Sequence, residues 1–176
     1  MALRNIVTSE QPGLYKKCRP VTEFNGRLHQ LLDDMAETLG QQNGVGLAAP
    51  QVGVLRRAVI VLETNVPEGQ EEKLIELINP VIVDCSGDQY GPEGCLSFPG
   101  EYGLVHRPMN VTVQAQDRFG NTFRVEGTGL TGRCFCHELD HLEGIVFTSL
   151  CERMLTDEEL ESGKYAGEGE SEPPTE

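Results

Sequence analysis

At 176 residues the chain has length enough for one domain with a substantial core, and too little for two comfortable ones. Its 28 Asp and Glu against 14 Lys and Arg give a net charge of -14, half of it carried from Glu152 onward, where nine acidic residues stand against two basic ones. No stripe of Lys and Arg with interleaved aromatics is present, which argues against a direct nucleic-acid motif, and no apolar run approaches the ~20 residues of a membrane helix.

The opening "MALRNIVTSEQPGLYKK" lacks an apolar stretch of signal-peptide length, so a cytoplasmic location is expected. In that setting Cys18, Cys85, Cys95, Cys134, Cys136 and Cys151 read as reduced thiols or metal ligands before disulfides. From Thr22 to Leu39, Leu28, Leu31, Leu32, Met35 and Leu39 recur at helical spacing, and Gly40 supplies a stop. "QQNGVGLAAPQVGV" is too rich in glycine for a helix interior. "RAVIVL" (57 to 62) reads as a buried strand, and "KLIELINPVIVDCSG" as one or two strands interrupted at Pro80. "GPEGCLSFPG" reads as an irregular loop. "NVTVQAQD" alternates with period two, turns at "RFGN" and returns through "TFRVEG" as a hairpin.

Helical spacing resumes from Leu130 to Leu142 and carries "HELDH". His137 and His141, four apart, share one helix face, where both imidazoles can grip one metal ion, and Glu138 beside them can handle a proton. The longer pattern HExxHxxGxxH is followed through Gly144 and then broken by Phe147, whose ring binds no metal, so a third ligand has to come from elsewhere. A short helical piece follows near "TDEELES". Residues 156–176 read as an acidic, largely disordered tail behind a catalytic domain of residues 1–155. Strands first and the metal-bearing helix later predict an α+β domain with antiparallel or mixed sheets around that helix.

Several residues compete for the third position. Glu158, Glu159 or Glu161 would make a zinc endopeptidase, but each sits in a polar segment, whereas a catalytic ligand needs rigid support. His29 and His106 read as surface or structural histidines, and Cys134 and Cys136 as small buried residues of the helix itself. Cys95 could close a three-ligand site and leave a fourth position for water. Spacing alone leaves the choice open.

"GVGLAAPQ" (44 to 51), "EGCLS" (93 to 97) and "HELDHLEG" (137 to 144) resemble, in order and rough spacing, the three signature motifs of peptide deformylases. The similarity extends from about Leu3 to Arg153. It implies that Cys95, His137 and His141 bind a divalent metal, typically Fe2+, with Zn2+, Ni2+ or Co2+ able to replace it. It further implies that Glu138 is the catalytic carboxylate and that Gln51 and the backbone amide of Leu96 face the reacting carbonyl. The substrate implied is the N-formyl-methionyl end of a nascent polypeptide; Gly44 and Gly46 let the main chain come close to it in the manner of an added strand, and Val45, Leu96, Cys134 or Phe135, and His137 are expected among the walls of the methionine pocket.

A monomer with transient ribosome association is the expected state. Two departures stand out: Cys136 replaces the glutamine that many members carry, and the tail is acidic where some relatives have a basic docking helix. The competing readings are the endopeptidase, a metal-storing or redox-sensing module with paired cysteines, and a deformylase-like fold without activity.

Overall fold

The computed structural model describes residues 2–165; most of the acidic tail therefore lies outside the described residues. Helix α1 (Gly26–Gln42) is capped by the side chain of Asn25 on the Leu28 amide and lays its Leu28, Leu32, Met35 and Leu39 stripe on a five-stranded antiparallel sheet. The helix ends at Asn43 (φ 53°), whose amide returns to Leu39 O, so the stop expected at Gly40 is passed. An interior glycine costs only about 1 kcal/mol against alanine, while the left-handed Asn43 closes the last turn.

The sheet runs β1 (Gly46–Ala48), β2 (Ala58–Glu63), β3 (Lys73–Ser86), β6 (Asn110–Gln116), β7 (Thr122–Thr128) in spatial order. β2 is buried on both faces. Its Ala58 and Ile60 meet α1, and Val59 and Val61 meet helix α2 (Leu130–Leu142), which accounts for the unbroken apolar run. Pro80 does not interrupt β3; the strand bends at Asn79 (φ 50°) with a shift of register and continues as one.

The second sheet is a two-stranded ribbon, β4 (Gln89–Cys95) with β5 (Phe98–Arg107), joined by a two-residue turn at Leu96 and Ser97. This corrects the irregular loop expected of "GPEGCLSFPG". Pro92 is tolerated because β4 has a partner on one side only, and Gly94 is required because the Tyr102 ring lies across it, 2.4 Å from where a Cβ would stand. After α2, a short helix α3 (Asp157–Ser162) starts with a capping box between Thr156 and Glu159, as the local pattern predicts. Among the described residues no helix is long and apolar enough to cross a membrane.

Candidate active site

Helix α2 and the β4–β5 ribbon converge on one point. His137 and His141, one turn apart, stand edge to face with ring centroids 4.9 Å apart and Nε2 atoms 3.2 Å apart; Cys95 Sγ is 3.3 Å from His141 Nε2. The three donor atoms all lie within 4.8 Å of one another, and both histidines are buried. Two imidazole nitrogens and one sulfur so placed fit a divalent metal with a position left open.

Electrostatics agree with that fit. Burial opposes charge on His137, yet hydrogen bonding with Cys95 and Glu93 and the Glu138 charge prevail and raise it to about 10, so the surroundings favour a cation at this spot, and a metal ion bound there would take the place of the Nε2 proton. Burial and the neighbouring His137 push His141 well below the usual histidine range, leaving a neutral imidazole that can act as a ligand. Glu93 accepts the Nδ1–H of His137 at 2.7 Å, which directs the Nε2 lone pair to the shared point.

Glu93 is itself held by four hydrogen bonds. Arg107 donates to it twice, at 3.0 and 2.7 Å, and Arg133 once, at 3.1 Å; Arg107 also reaches Asp140 at 2.7 Å. Against its own burial, the bonds from His137 and Arg107 keep Glu93 ionised far below the ordinary carboxylate range. None of Glu93, Arg107, Arg133 and Asp140 was singled out by the sequence. The available signal was period two: Glu93 and Cys95 share one face of β4.

Glu138 is nearly fully buried beside this cluster, with Oε1 3.9 Å from His137 Nε2 and Oε2 without a protein partner. Burial raises it to about 7, a value suited to accepting and returning a proton near neutral pH. Gly46 makes room for it: a Cβ there would come 2.5 Å from Cys134 Sγ and 3.0 Å from Glu138 Oε1. Gln51, also buried, accepts the Ala48 amide on Oε1 at 2.9 Å, which aims its Nε2 at Cys95 Sγ (3.4 Å) and Ser97 Oγ (3.2 Å).

Above the cluster opens a cleft of about 450 Å3 lined by Gly44, Val45, Gly46, Leu96, Cys134 and His137, all of which the sequence nominated. Phe135 is the exception. Its ring is fully buried in the core between α2 and the sheet, 100° around the helix from Cys134, and takes no part in the cleft. Cys136 is likewise buried, and burial pushes its thiol up to about 11, the mark of an inert packing residue.

The endopeptidase reading finds no support in this geometry. Glu159 is bound by Arg153 at 2.8 and 2.9 Å and by the Thr156 amide, and among the described residues the donor cluster closes with Cys95.

Comparison with known proteins decides the family. The family model of polypeptide deformylase matches residues 3–155. The chain belongs to the polypeptide deformylase family. A peptide deformylase of Caldicellulosiruptor bescii is 50% identical over 168 residues, covering 96% of this chain and 97% of the relative. Among solved structures, a peptide deformylase from Legionella pneumophila superposes with a TM-score of 0.78 at 40% identity, covering 86% of this chain and 87% of that one. A class I type b peptide deformylase of Acinetobacter baumannii, solved with Met-Ala-Ser bound, gives 0.78 at 33% identity over 84% of this chain and 98% of its own. The deformylase family thus matches the chain over both the sheet and helix α2.

Proposed function

We propose that the protein is a metal-dependent hydrolase that removes the N-formyl group from the N-terminal formylmethionine of newly made polypeptides and releases formate. The observation that carries the reading is the meeting, at one cleft, of Cys95, His137, Glu138 and Gln51, with His141 buried against Cys95 and His137 to complete the three donors. Met-Ala-Ser, bound by the Acinetobacter relative, has the form of a deformylated product, which supports the same substrate class.

Cys95, His137 and His141 would hold a divalent cation, Fe2+ in the cell, which would supply Lewis acidity and lower the pKa of water. Glu138, desolvated and near pH 7 in its titration, takes a proton from the attacking water and returns it to the leaving nitrogen. As negative charge grows on the formyl oxygen, Gln51 Nε2 and the backbone N–H of Leu96 donate to it. Gln51 needs little reorganisation to do so, because the Ala48 amide already holds its other end. The formylmethionyl peptide lies along Gly44, Val45 and Gly46 as an added strand, with its side chain toward Leu96 and Cys134.

Residues 1–155 form the catalytic domain and 156–176 an acidic tail. The enzyme acts in the cytoplasm as a monomer in transient contact with ribosomes.

The test is formate release from formyl-Met-Ala-Ser by anaerobically purified protein, with metal content measured in parallel. Wild type turns over; Glu138→Ala keeps its metal and loses turnover; Cys95→Ala loses both. Metal retention by Cys95→Ala with turnover intact would sink the reading.

A further inference from the structure

The residues of α2 that line the cleft recur at helical steps of three and four: Leu130, Arg133, Cys134, His137 and Glu138. Four of them suit an apolar side chain or the chemistry beside it. Arg133 is the unexpected member, since a wall that receives a methionine side chain has no need of a cation. Its side chain is only 9% exposed, and Nη2 stands 3.9 Å from where a Cβ on Gly91 would lie, so the guanidinium rests against the backbone of β4.

Two hydrogen bonds hold it there. Nη1 donates to Glu93 Oε1 and Nη2 to the Val105 carbonyl oxygen, both at 3.1 Å. A guanidinium carries five N–H donors, so three have no acceptor among the described residues. Glu93 does not need Arg133 as its main counter-ion: Arg107 gives it two bonds at 3.0 and 2.7 Å and His137 one at 2.7 Å, all shorter. Buried donors left unpaired are unfavourable, and at the wall of a cleft a ligand can bring the missing acceptor.

We propose that Arg133 donates to an acceptor at the end of the substrate's first side chain, so that the cleft takes N-formyl-methionine sulfoxide ends as well as N-formyl-methionine ends. The proposal rests on the deformylase reading and extends its substrate class. Methionine sulfoxide keeps the unbranched methionine chain and adds one oxygen on sulfur. A thioether is a weak acceptor, whereas the sulfoxide oxygen is polar and loses its water on entry. An apolar pocket disfavours one added polar atom by about 100-fold, a penalty that the spare N–H groups of Arg133 would offset. Position agrees with the role: Arg133 lies one turn, about 6 Å along the axis, from His137, within reach of a four-atom side chain whose backbone sits beside the three donors.

The experiment compares kcat/KM for formyl-Met-Ala-Ser, its norleucine analogue and each of its two sulfoxide epimers on wild type, Arg133→Leu and Arg133→Lys. Loss of Arg133 also loosens Glu93, so turnover falls for every peptide, but ratios between peptides cancel that common loss. Wild type is expected to process at least one sulfoxide epimer within about tenfold of methionine. Arg133→Leu should widen that ratio to about 100-fold while methionine against norleucine stays as in wild type, and Arg133→Lys, with one ammonium, should fall between. Rejection of both epimers by wild type well beyond tenfold, or a sulfoxide ratio equal in all three proteins, would overturn the proposal and leave Arg133 as a lesser counter-ion of Glu93. If Arg133→Leu fails to fold, wild type and Arg133→Lys still decide. Calorimetric binding of unformylated Met-Ala-Ser and its sulfoxides runs in parallel. Absence of formate release from every peptide beside Arg133-dependent binding of a sulfoxide would remove the enzymatic reading and leave the subsite standing.

Discussion

Glu93 on the ribbon and His137 on the helix share a 2.7 Å hydrogen bond, and through it the ribbon sets the tautomer of a proposed metal ligand that it does not itself carry. The same carboxylate is the counter-ion of two buried arginines. Replacing Glu93 therefore acts on the metal and on the fold at once. Glu93→Gln, which keeps the shape and loses the charge, is expected to weaken metal affinity by about 10- to 100-fold in a chelator competition. Glu93→Ala, which leaves buried Arg133 without its carboxylate and Arg107 with Asp140 alone, should also cost about 3–5 kcal/mol in urea unfolding. An unchanged chelator midpoint in both variants would remove Glu93 from the site.

Gln51 separates chemistry from metal binding. Gln51→Ala removes one donor to the formyl oxygen, and turnover of a formylated peptide is expected to fall about 100- to 1,000-fold. Metal content, measured by elemental analysis, should stay at wild type, since Gln51 only grazes the Cys95 sulfur.

Gly46 is the seat of Glu138. In Gly46→Ala the new methyl meets Cys134 Sγ and the Glu138 carboxylate, and kcat is expected to drop. Adding Cys134→Ala removes the tighter of the two contacts and should recover part of the loss, a non-additivity that a double-mutant cycle measures. Strict additivity would mean that Gly46 serves the peptide backbone alone.

Phe135 distinguishes core from cleft. Phe135→Ala is expected to cost about 3–5 kcal/mol of stability with KM unchanged for the folded enzyme. A rise in KM with stability intact would return Phe135 to the substrate pocket.

Asp34 gives the acid limb of stability. The Ala2 amide, then, against burial, Gln30 and Arg4, hold its carboxyl below the ordinary value of 3.8 in the folded chain. A group depressed on folding stabilises fully above its unfolded value, and the contribution fades as pH falls through the folded one. The thermal midpoint of wild type should therefore exceed that of Asp34→Asn near neutral pH, and the gap should close below about pH 4. A gap independent of pH would trace the effect to packing.

What the sequence disclosed follows from how local each signal is. The α2 helix, the β6–β7 hairpin and the HELDH spacing are each written within a short continuous stretch, and the structure reproduces them. The end of α1, expected at Gly40, and the side of Phe135 were misread because a left-handed cap and the choice between adjacent helix faces depend on what lies across the fold. The "GPEGCLSFPG" ribbon was hidden by its glycines and prolines, whose places are set by Tyr102 and by the open side of β4. Glu93 was in plain view within a quoted motif. Its partners Arg107 and Arg133 lie fourteen and forty residues away, and no pattern in a single chain announces that they converge.

The β4–β5 ribbon has one further property. Two antiparallel strands alone are marginal in water, and this pair joins neither edge of the larger sheet. It is held to the body by Phe98 and Val105, packed with Leu14, Val146 and Phe147, by backbone bonds of Tyr102 and Leu104 with residues 152–155, and by Glu93, while Cys95 at its turn is completed by whatever cation sits between it and the histidines. Amide exchange at Leu96 and Ser97, the turn that follows Cys95, would then serve as a gauge of loading, slow when all three donors are engaged and fast once chelation frees Cys95, while the protection of the ribbon's anchored strands and of β2 and β3 scarcely changes.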